Sequence, residues 1–202
     1  MSKPIHILPK WEVVKLPDIA ELKNGGTPPK AKSKYWEGGK IPFVTAADLT
    51  TLYIDNGRTF LTEEGLASGK TVICEEGDLL IGTRTSVGNC SIVKRRVGAS
   101  QDITRARFFV AVVPEYFCWF FRNIAEYVAF FSQGTSIQGI TRNVLNSIEI
   151  AIPPLDEQHR IVKRIEELNN LADEMRKLLN SINKDIENFQ PALLAKAFRG
   201  EL

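Results

Sequence analysis

Apolar residues are spaced in two different ways along this chain. Up to residue 152 they form short runs separated by Gly, Pro and polar turns. Beyond it, Ile161, Ile165, Leu168, Ala172, Met175, Leu179, Ile182, Ile186, Phe189 and Leu193 recur at steps that alternate four and three. The short runs predict strands. The second spacing is the a/d pattern of a coiled coil, held for more than four heptads. Leu171 and Leu178 occupy flanking g positions and widen the stripe, which suits contact with more than one helix.

Within the first regime, "WEVVKLPDIAEL" (11–22) predicts a strand or turn leading to a short helix. "NGGTPP" (24–29) predicts a rigid loop, since its glycines permit positive φ and its prolines remove donors. "KIPFVTAADL" (40–49) reads as a strand followed by a polar turn. The strongest β signal is "TVICEEGDLLIGTRTSVGNCSIVKRR" (71–96), where Val, Ile and Leu runs alternate with Gly-containing loops. "RARFFVAVV" (105–113) predicts another strand. In "PEYFCWFFRNIAEYVAFFSQG" (114–134), Tyr116, Phe117, Phe120, Phe121, Ile124, Val128 and Phe131 share a wide face at helical spacing, which predicts a core helix ending at Gly134. "LNSIEIAI" (145–152) predicts a last strand. Regular βαβ alternation is missing, so the expected class is α+β: a globular domain over residues 1–152 with a mixed or antiparallel sheet, then a long helical segment over 153–202.

Pro153 and Pro154 end the strand and set the exit direction, and Asp156 and Glu157 stand where carboxylates favour a helix N-terminus. Pro191 is expected to end or kink the helix, leaving "ALLAKAFRGEL" as a short last turn. A helix over residues 156–190 would span roughly 52 Å. That exceeds one face of a domain this size and predicts a partner outside it.

Composition narrows the function. The 202 residues are 44% hydrophobic and 25% charged, enough for a real core. No apolar run is long enough for a signal peptide or membrane span, so a cytoplasmic protein with no membrane contact is expected. Cys74, Cys90 and Cys118 lack zinc-type spacing and predict buried free thiols without a metal. His6, in the N-terminal tail, and His159, on a polar-faced helix, argue against a Ser–His or Cys–His pair. Residues 1–152 carry 18 Lys and Arg against 15 Asp and Glu, hence +3; residues 153–202 carry 8 against 9, hence −1. The first part suits an anionic partner and the second a balanced protein–protein surface.

Catalytic motifs are missing. The sequence has no GxxxxGK[ST], GxGxxG or HExxH, and no methyltransferase-type aromatic tetrapeptide; "GTRTSVG" (82–88) lacks the Lys that a phosphate loop requires. Glu63 with Glu64 and Glu75 with Glu76 fall in polar turns. Neither catalysis nor a cofactor is expected of this chain alone.

Three polar stretches are candidates for contact with DNA. "PPKAKSKYW" (28–36) alternates Lys30, Lys32 and Lys34, which on an extended segment would share one phosphate-facing edge. A solvated lysine edge explains the same pattern. "GTRTSVGN" (82–89) places Arg84, Thr85 and Ser86 on a loop between apolar strands, where a guanidinium can reach guanine O6 and N7. "GTSIQGITRN" (134–143) offers Ser136, Gln138, Thr141, Arg142 and Asn143 on a Gly-punctuated loop. Together they suggest a reading surface of loops on a rigid sheet.

Taken in order, "WEVVKLPDIAELKNGGTPPK", "YWEGGKIPFVTAADL", "EEGDLLIGTRTSVGNCSIV", "GTSIQGITRNVLNSIEIAIPPLDEQHRIV" and "LLAKAFRGEL" resemble the motifs of the specificity (S) subunits of type I restriction-modification systems. The resemblance covers nearly the whole chain and is most specific from Ile148 through "PPLDEQHRIV". Members of that family usually carry two target-recognition domains, each followed by a long helix. The two helices pair antiparallel, each domain reads half of a bipartite DNA site, and the helices dock methyltransferase (M) subunits. This chain carries one such domain and one such helix.

The resemblance therefore implies that a second S half completes the assembly on double-stranded DNA. Two identical copies pairing about a two-fold axis would read an interrupted palindrome, and the helix length corresponds to roughly 15 base pairs end to end. Ile161, Ile165, Leu168, Met175, Leu179, Ile182, Ile186 and Phe189 would then face the partner helix, with Leu171 and Leu178 recruiting M subunits. Arg160, Lys163 and Arg164 are candidates for orienting contacts, or plain solvated surface. Adenine methylation with S-adenosylmethionine, and ATP-driven cleavage by restriction (R) subunits, would lie on other chains. A different class of function stays open: an S-like module that dimerises or binds M subunits without reading DNA.

Overall fold

In the computed structural model, which describes residues 10–68, 70–132 and 140–201 and only the backbone at 124–132 and Ala192, the short apolar runs pair into three sheets. The largest orders β2 (Ala20–Asn24), β10 (Ile103–Phe108), β7 (Leu79–Gly82), β8 (Cys90–Val93) and β4 (Tyr53–Ile54) side by side. A second orders β5 (Thr59–Leu61), β3 (Ile41–Val44), β9 (Val97–Ala99) and β6 (Val72–Cys74). The third pairs β1 (Glu12–Lys15) with β11 (Glu149–Ile152), register Glu12 to Ile152. Pairing is antiparallel except between β3 and β9 and between β4 and β8, so the sheets are mixed. Four α-helices complete the α+β fold among the described residues: α1 (Glu63–Ala67), α2 (Pro114–Ser132), α3 (Arg142–Ser147) and α4 (Leu155–Phe198).

β7 and β8 are buried at every position, which is why their stretch reads as continuous apolar runs without alternation. Leu80 and Val93 pack in one cluster with Val44, Leu49, Val97 and Ile103. A smaller cluster joins Phe43, Leu61 and Leu66, with the Trp36 ring set edge-on to Phe43 at 5.2 Å. From α2, Phe117 and Phe121 are fully buried, each contributing about 1.5–3 kcal/mol of burial. The side chains of Ile124, Val128 and Phe131 lie outside the described residues. Cys74, Cys90 and Cys118 are free and buried.

Several sequence expectations shift for physical reasons. Residues 20–22 belong to a strand, because β10 needs a second neighbour and takes β2 in the register Ala20 to Phe108. β10 itself ends at Phe108, and the expected strand residues Phe109 and Val110 are exposed. Residues 145–147 belong to α3, capped by the Thr141 hydroxyl, which accepts from the Val144 amide at 3.3 Å.

α4 does not stop at Pro191 but continues to Phe198. A proline inside a helix removes one N–H donor, and the carbonyl it leaves unpaired lies on an exposed stretch. The helix ends where glycine permits it. Gly200 has φ +70°, its amide donates to Ala197 O at 3.0 Å, and Glu201 N donates to Lys196 O at 3.0 Å. This is the double hydrogen bond of a Schellman end.

By internal contacts the chain divides into two units, one running to His159 and the other from Arg160. Among the described residues, no helix is long and apolar enough to cross a membrane.

Candidate nucleic-acid interface

Antiparallel register determines which loops meet. Gly82 at the end of β7 faces Ile103 at the start of β10, and Asn24 at the end of β2 faces Thr104. The 83–89 loop, the turn entering β10 and the end of β2 therefore emerge together from one end of the five-stranded sheet. Backbone hydrogen bonds lock them: Thr83 N donates to Asp102 O at 2.8 Å, Gly25 N to Ile103 O at 2.8 Å, and Ile140 N to Thr83 O at 2.6 Å. The last bond brings the start of α3 to the same place.

Between them lies a cleft of about 300 Å³ lined by Asn24, Gly25, Thr83, Arg84, Gln101, Thr104, Ile140, Thr141 and Arg142. Gly25 is required by close approach, since a Cβ there would fall 2.1 Å from Ser100 O. The 83–89 loop turns through Ser86 at φ +49° and Gly88 at φ +82°. The Ser86 conformation is uncommon for a residue with a side chain.

Arg84, Thr85 and Ser86 are exposed, and Arg84 makes no ion pair among the described residues. Arg142 is exposed too, but its Nη2 donates to Leu22 O at 2.9 Å and so braces α3 against β2. Thr141 combines a place on the cleft with the capping role. Two of the three sequence candidates are thus brought together. Ser136 and Gln138 of the third stretch lie outside the described residues, as does His6.

The lysine stretch is different. It is not extended: residues 30–31 turn and Ser33–Tyr35 form a 3-10 helix, so Lys30, Lys32 and Lys34 do not share one edge. The backbone departs from a strand because the Lys32 and Trp36 amides donate locally, to Pro29 O and Ser33 O. Lys34 pairs with Glu64, which holds its ammonium above the usual lysine value. The Nζ atoms of Lys32 and Lys34 lie 5.4 and 5.6 Å from the centre of the Tyr35 ring. None of the three lines the cleft.

Sequence reasoning passed over Asn24, Thr83, Gln101 and Thr104. Only "NGG" hinted at the first of them. The others are marked by pairing register, which no local pattern reveals.

The scaffold beneath the cleft contains charged groups held by partners. Arg105 is buried and pairs with Glu21. The hydrogen bond from Lys23, aided by the nearby Arg105 charge, holds the Glu21 carboxyl below the usual carboxylate value despite some desolvation. Arg107 grips the buried Asp78 through two bonds of 2.7 Å, which raises the guanidinium above its ordinary value. No cluster of metal-binding side chains occurs among the described residues.

On α4, the predicted stripe is exposed from Leu168 onward except at the half-buried Ala172: Leu171, Met175, Leu178, Leu179, Ile182, Ile186 and Phe189 are each between 44% and 67% exposed. Ile161 and Ile165 are half-buried. Arg164 pairs with Glu167 at 3.1 Å and Arg176 with Asp173 at 2.6 Å, so part of the helix's charge is satisfied within it.

A mixed-sheet α+β domain with a loop-built polar cleft, followed in sequence by a long helix bearing an apolar stripe, defines the class of protein. The chain belongs to the type I restriction modification DNA specificity domain family, whose family model matches residues 9–184. It is 34% identical to the type I restriction enzyme EcoKI specificity subunit of Escherichia coli over 91% of this chain and 41% of that protein. It is 29% identical to the MjaIX specificity subunit of Methanocaldococcus jannaschii over 84% of this chain and 40% of that one. The chain thus spans less than half the length of these relatives.

Two solved structures share the fold. The HsdS subunit from Thermoanaerobacter tengcongensis matches with a TM-score of 0.72 at 22% identity, covering 98% of this chain and 47% of that one. A chain from a study of complex assembly and conformational transition of the type I R-M system matches with a TM-score of 0.79 at 23% identity, covering 98% and 48%.

Proposed function

We propose that this chain is a DNA sequence-recognition half of a type I restriction-modification complex. Residues 1–152 form the target-recognition domain, and residues 153–202 form the strut that pairs with a second S half and docks M subunits. The observation that carries this reading is the family match over residues 9–184. Two features support it: the cleft holding Arg84 and Arg142, and the exposed stripe that α4 leaves without apolar cover.

In this reading the chain is a non-catalytic subunit of the cytoplasm. Methylation, and cleavage where R subunits join, belong to partner chains. At 44 residues, α4 extends about 66 Å, long enough for an antiparallel coiled coil between two copies. A homodimer would present two identical reading surfaces to an interrupted palindromic site.

The test is an adenine-methylation map of cells with and without the gene. Loss of one interrupted palindrome on deletion supports a symmetric pair, and loss of an asymmetric bipartite motif supports a different partner half. An unchanged map in cells expressing the methyltransferase would sink the DNA-reading role and leave an interaction module.

A further inference from the structure

The hydrogen-bonding groups of the cleft have an uneven balance. The Thr104 hydroxyl is buried and donates to Asn24 Oδ1 at 3.1 Å, so the Asn24 carbonyl is committed and its amide N–H groups are not. The Thr83 hydroxyl is buried and donates to Asp102 O at 3.2 Å. Thr141 Oγ1 accepts from Val144 N, leaving its proton available. Arg84 offers a full guanidinium, and Arg142 the N–H groups that Leu22 does not use.

The side-chain acceptors that face these donors are uncharged: the threonine hydroxyls keep lone pairs, and the rest is one amide carbonyl. The Asp102 carbonyl is taken by the Thr83 amide and hydroxyl, and no carboxylate lines the cleft among the described residues. Gln101, which is exposed, supplies the one uncommitted side-chain carbonyl on the described lining. The complement of such a surface is a group that presents acceptors only. In DNA this means the major-groove edge of guanine, with O6 and N7, or phosphate oxygens; adenine and cytosine each present a donor there, and thymine offers a single acceptor, O4, beside a methyl group, which leaves a second donor without a partner. Asn24 favours the base edge. It is a neutral donor whose direction is set by a buried threonine, an arrangement with geometric value for a base and little for a diffuse phosphate charge.

We propose that the cleft reads a guanine, with the Arg84 guanidinium and the Asn24 amide as its specificity-determining donors, Thr104 acting as the positioning residue behind Asn24. The proposal rests on the DNA-recognition reading above and adds the base class to it.

The test is selection from a randomised duplex pool by the full chain purified with its partner chains, comparing wild type with Asn24→Asp. The aspartate keeps an acceptor for Thr104 and replaces the free donors by a carboxylate. Wild type is expected to enrich a motif with a fixed guanine, and Asn24→Asp to lose it in favour of cytosine, whose N4 amine suits a carboxylate. In a second arm, 7-deazaguanine at each fixed guanine of the selected duplex removes N7 without touching the protein. At one guanine it is expected to weaken wild-type binding by about 5- to 150-fold. This arm decides the matter alone if the variant does not fold.

Full affinity with every deazaguanine duplex, or an unaltered motif with Asn24→Asp, overturns the proposal. A uniform loss across all sequences with the motif intact assigns the cleft to phosphate and overturns it too. A wild-type pool with no enriched motif would instead defeat the DNA-recognition reading itself.

Discussion

The side-chain oxygen of Gln158 accepts a hydrogen bond from the backbone amide of Val113 at 2.9 Å, across forty-five positions of sequence. The same side chain donates to Pro153 O at 2.9 Å and is almost fully buried, at 2% exposure. One amide therefore ties the first turn of α4 both to the strand exit and to the segment ahead of α2. It explains why a glutamine suits "PPLDEQHRIV": its amide carries separate acceptor and donor atoms, which bond two backbone groups at once without bringing a charge into the interior. Nearby, the Tyr116 hydroxyl donates to Ala151 O at 2.6 Å, a second link between α2 and the exit strand.

Replacing Gln158 by Leu leaves the Val113 amide and Pro153 carbonyl buried without partners. The expected cost is about 2–4 kcal/mol. In a chain of this size that corresponds to a fall of roughly 5–15 °C in Tm. An unchanged melting curve would show that the start of α4 is held by something else.

Arg84 and Arg142 line one cleft but differ in attachment. Arg84→Ala is expected to weaken specific DNA binding by about 5- to 150-fold while leaving Tm unchanged, since it breaks no bond among the described residues. Arg142→Ala loses the bond to Leu22 O and is expected to lower stability by about 1–2 kcal/mol as well as binding. Salt-controlled titrations beside thermal melts separate the two. Equal melting behaviour would remove the brace, and unaltered affinity in both would remove the cleft from the interface.

Leu179 lies at the middle of the exposed stripe, 59% exposed. Leu179→Glu places a carboxylate in the proposed helix seam, and sedimentation should show the paired species lost while the circular dichroism and melting of the globular unit are retained. A variant that still sediments as a dimer contradicts pairing through α4.

Burial pushes the Cys74 thiol from an ordinary 9.0 up to about 12, with the nearby Asp78 charge adding to the shift. An acid whose folded value is raised holds more protons in the native state than in the unfolded chain between those limits, so stability falls as pH rises through that window. Denaturation midpoints are expected to decline above about pH 9, and Cys74→Val to flatten that decline. Burial raises Cys90 as well, so a remaining slope in the variant is expected. A decline equally steep in both proteins would exclude Cys74 as a contributor. In the native protein, a thiol reagent at neutral pH should leave all three cysteines unmodified.

The sequence by itself determined the α+β class, the β6–β7–β8 run, the start of α2 and the apolar stripe of α4, while the expected end of α2 at Gly134 lies outside the described residues. Each of these is a local periodicity: two residues for a half-buried strand, continuous for a buried one, and three-and-four for a helix packing along one side. It also placed Arg84 on a loop between apolar runs, whereas Arg142, expected on a loop as well, is the first residue of α3. Helix ends were less legible. Pro191 is a breaker by propensity, yet the helix passes it and stops at Gly200, where positive φ closes the carbonyls.

Tertiary structure decided which residues distant in sequence meet. It joined Asn24 to Thr104 over 80 positions and placed both beside Arg84. It turned Arg142 into a brace, gave Lys34 to Glu64 instead of a shared basic edge, and made Gln158 a clamp. The physical reason is common to all four. Each partner lies far off in sequence and is brought there by strand register, as with Asn24 and Thr104, or by the packing of helices and loops, as with the other three; both arise from burying the whole core at once, and no window of neighbouring residues contains that information.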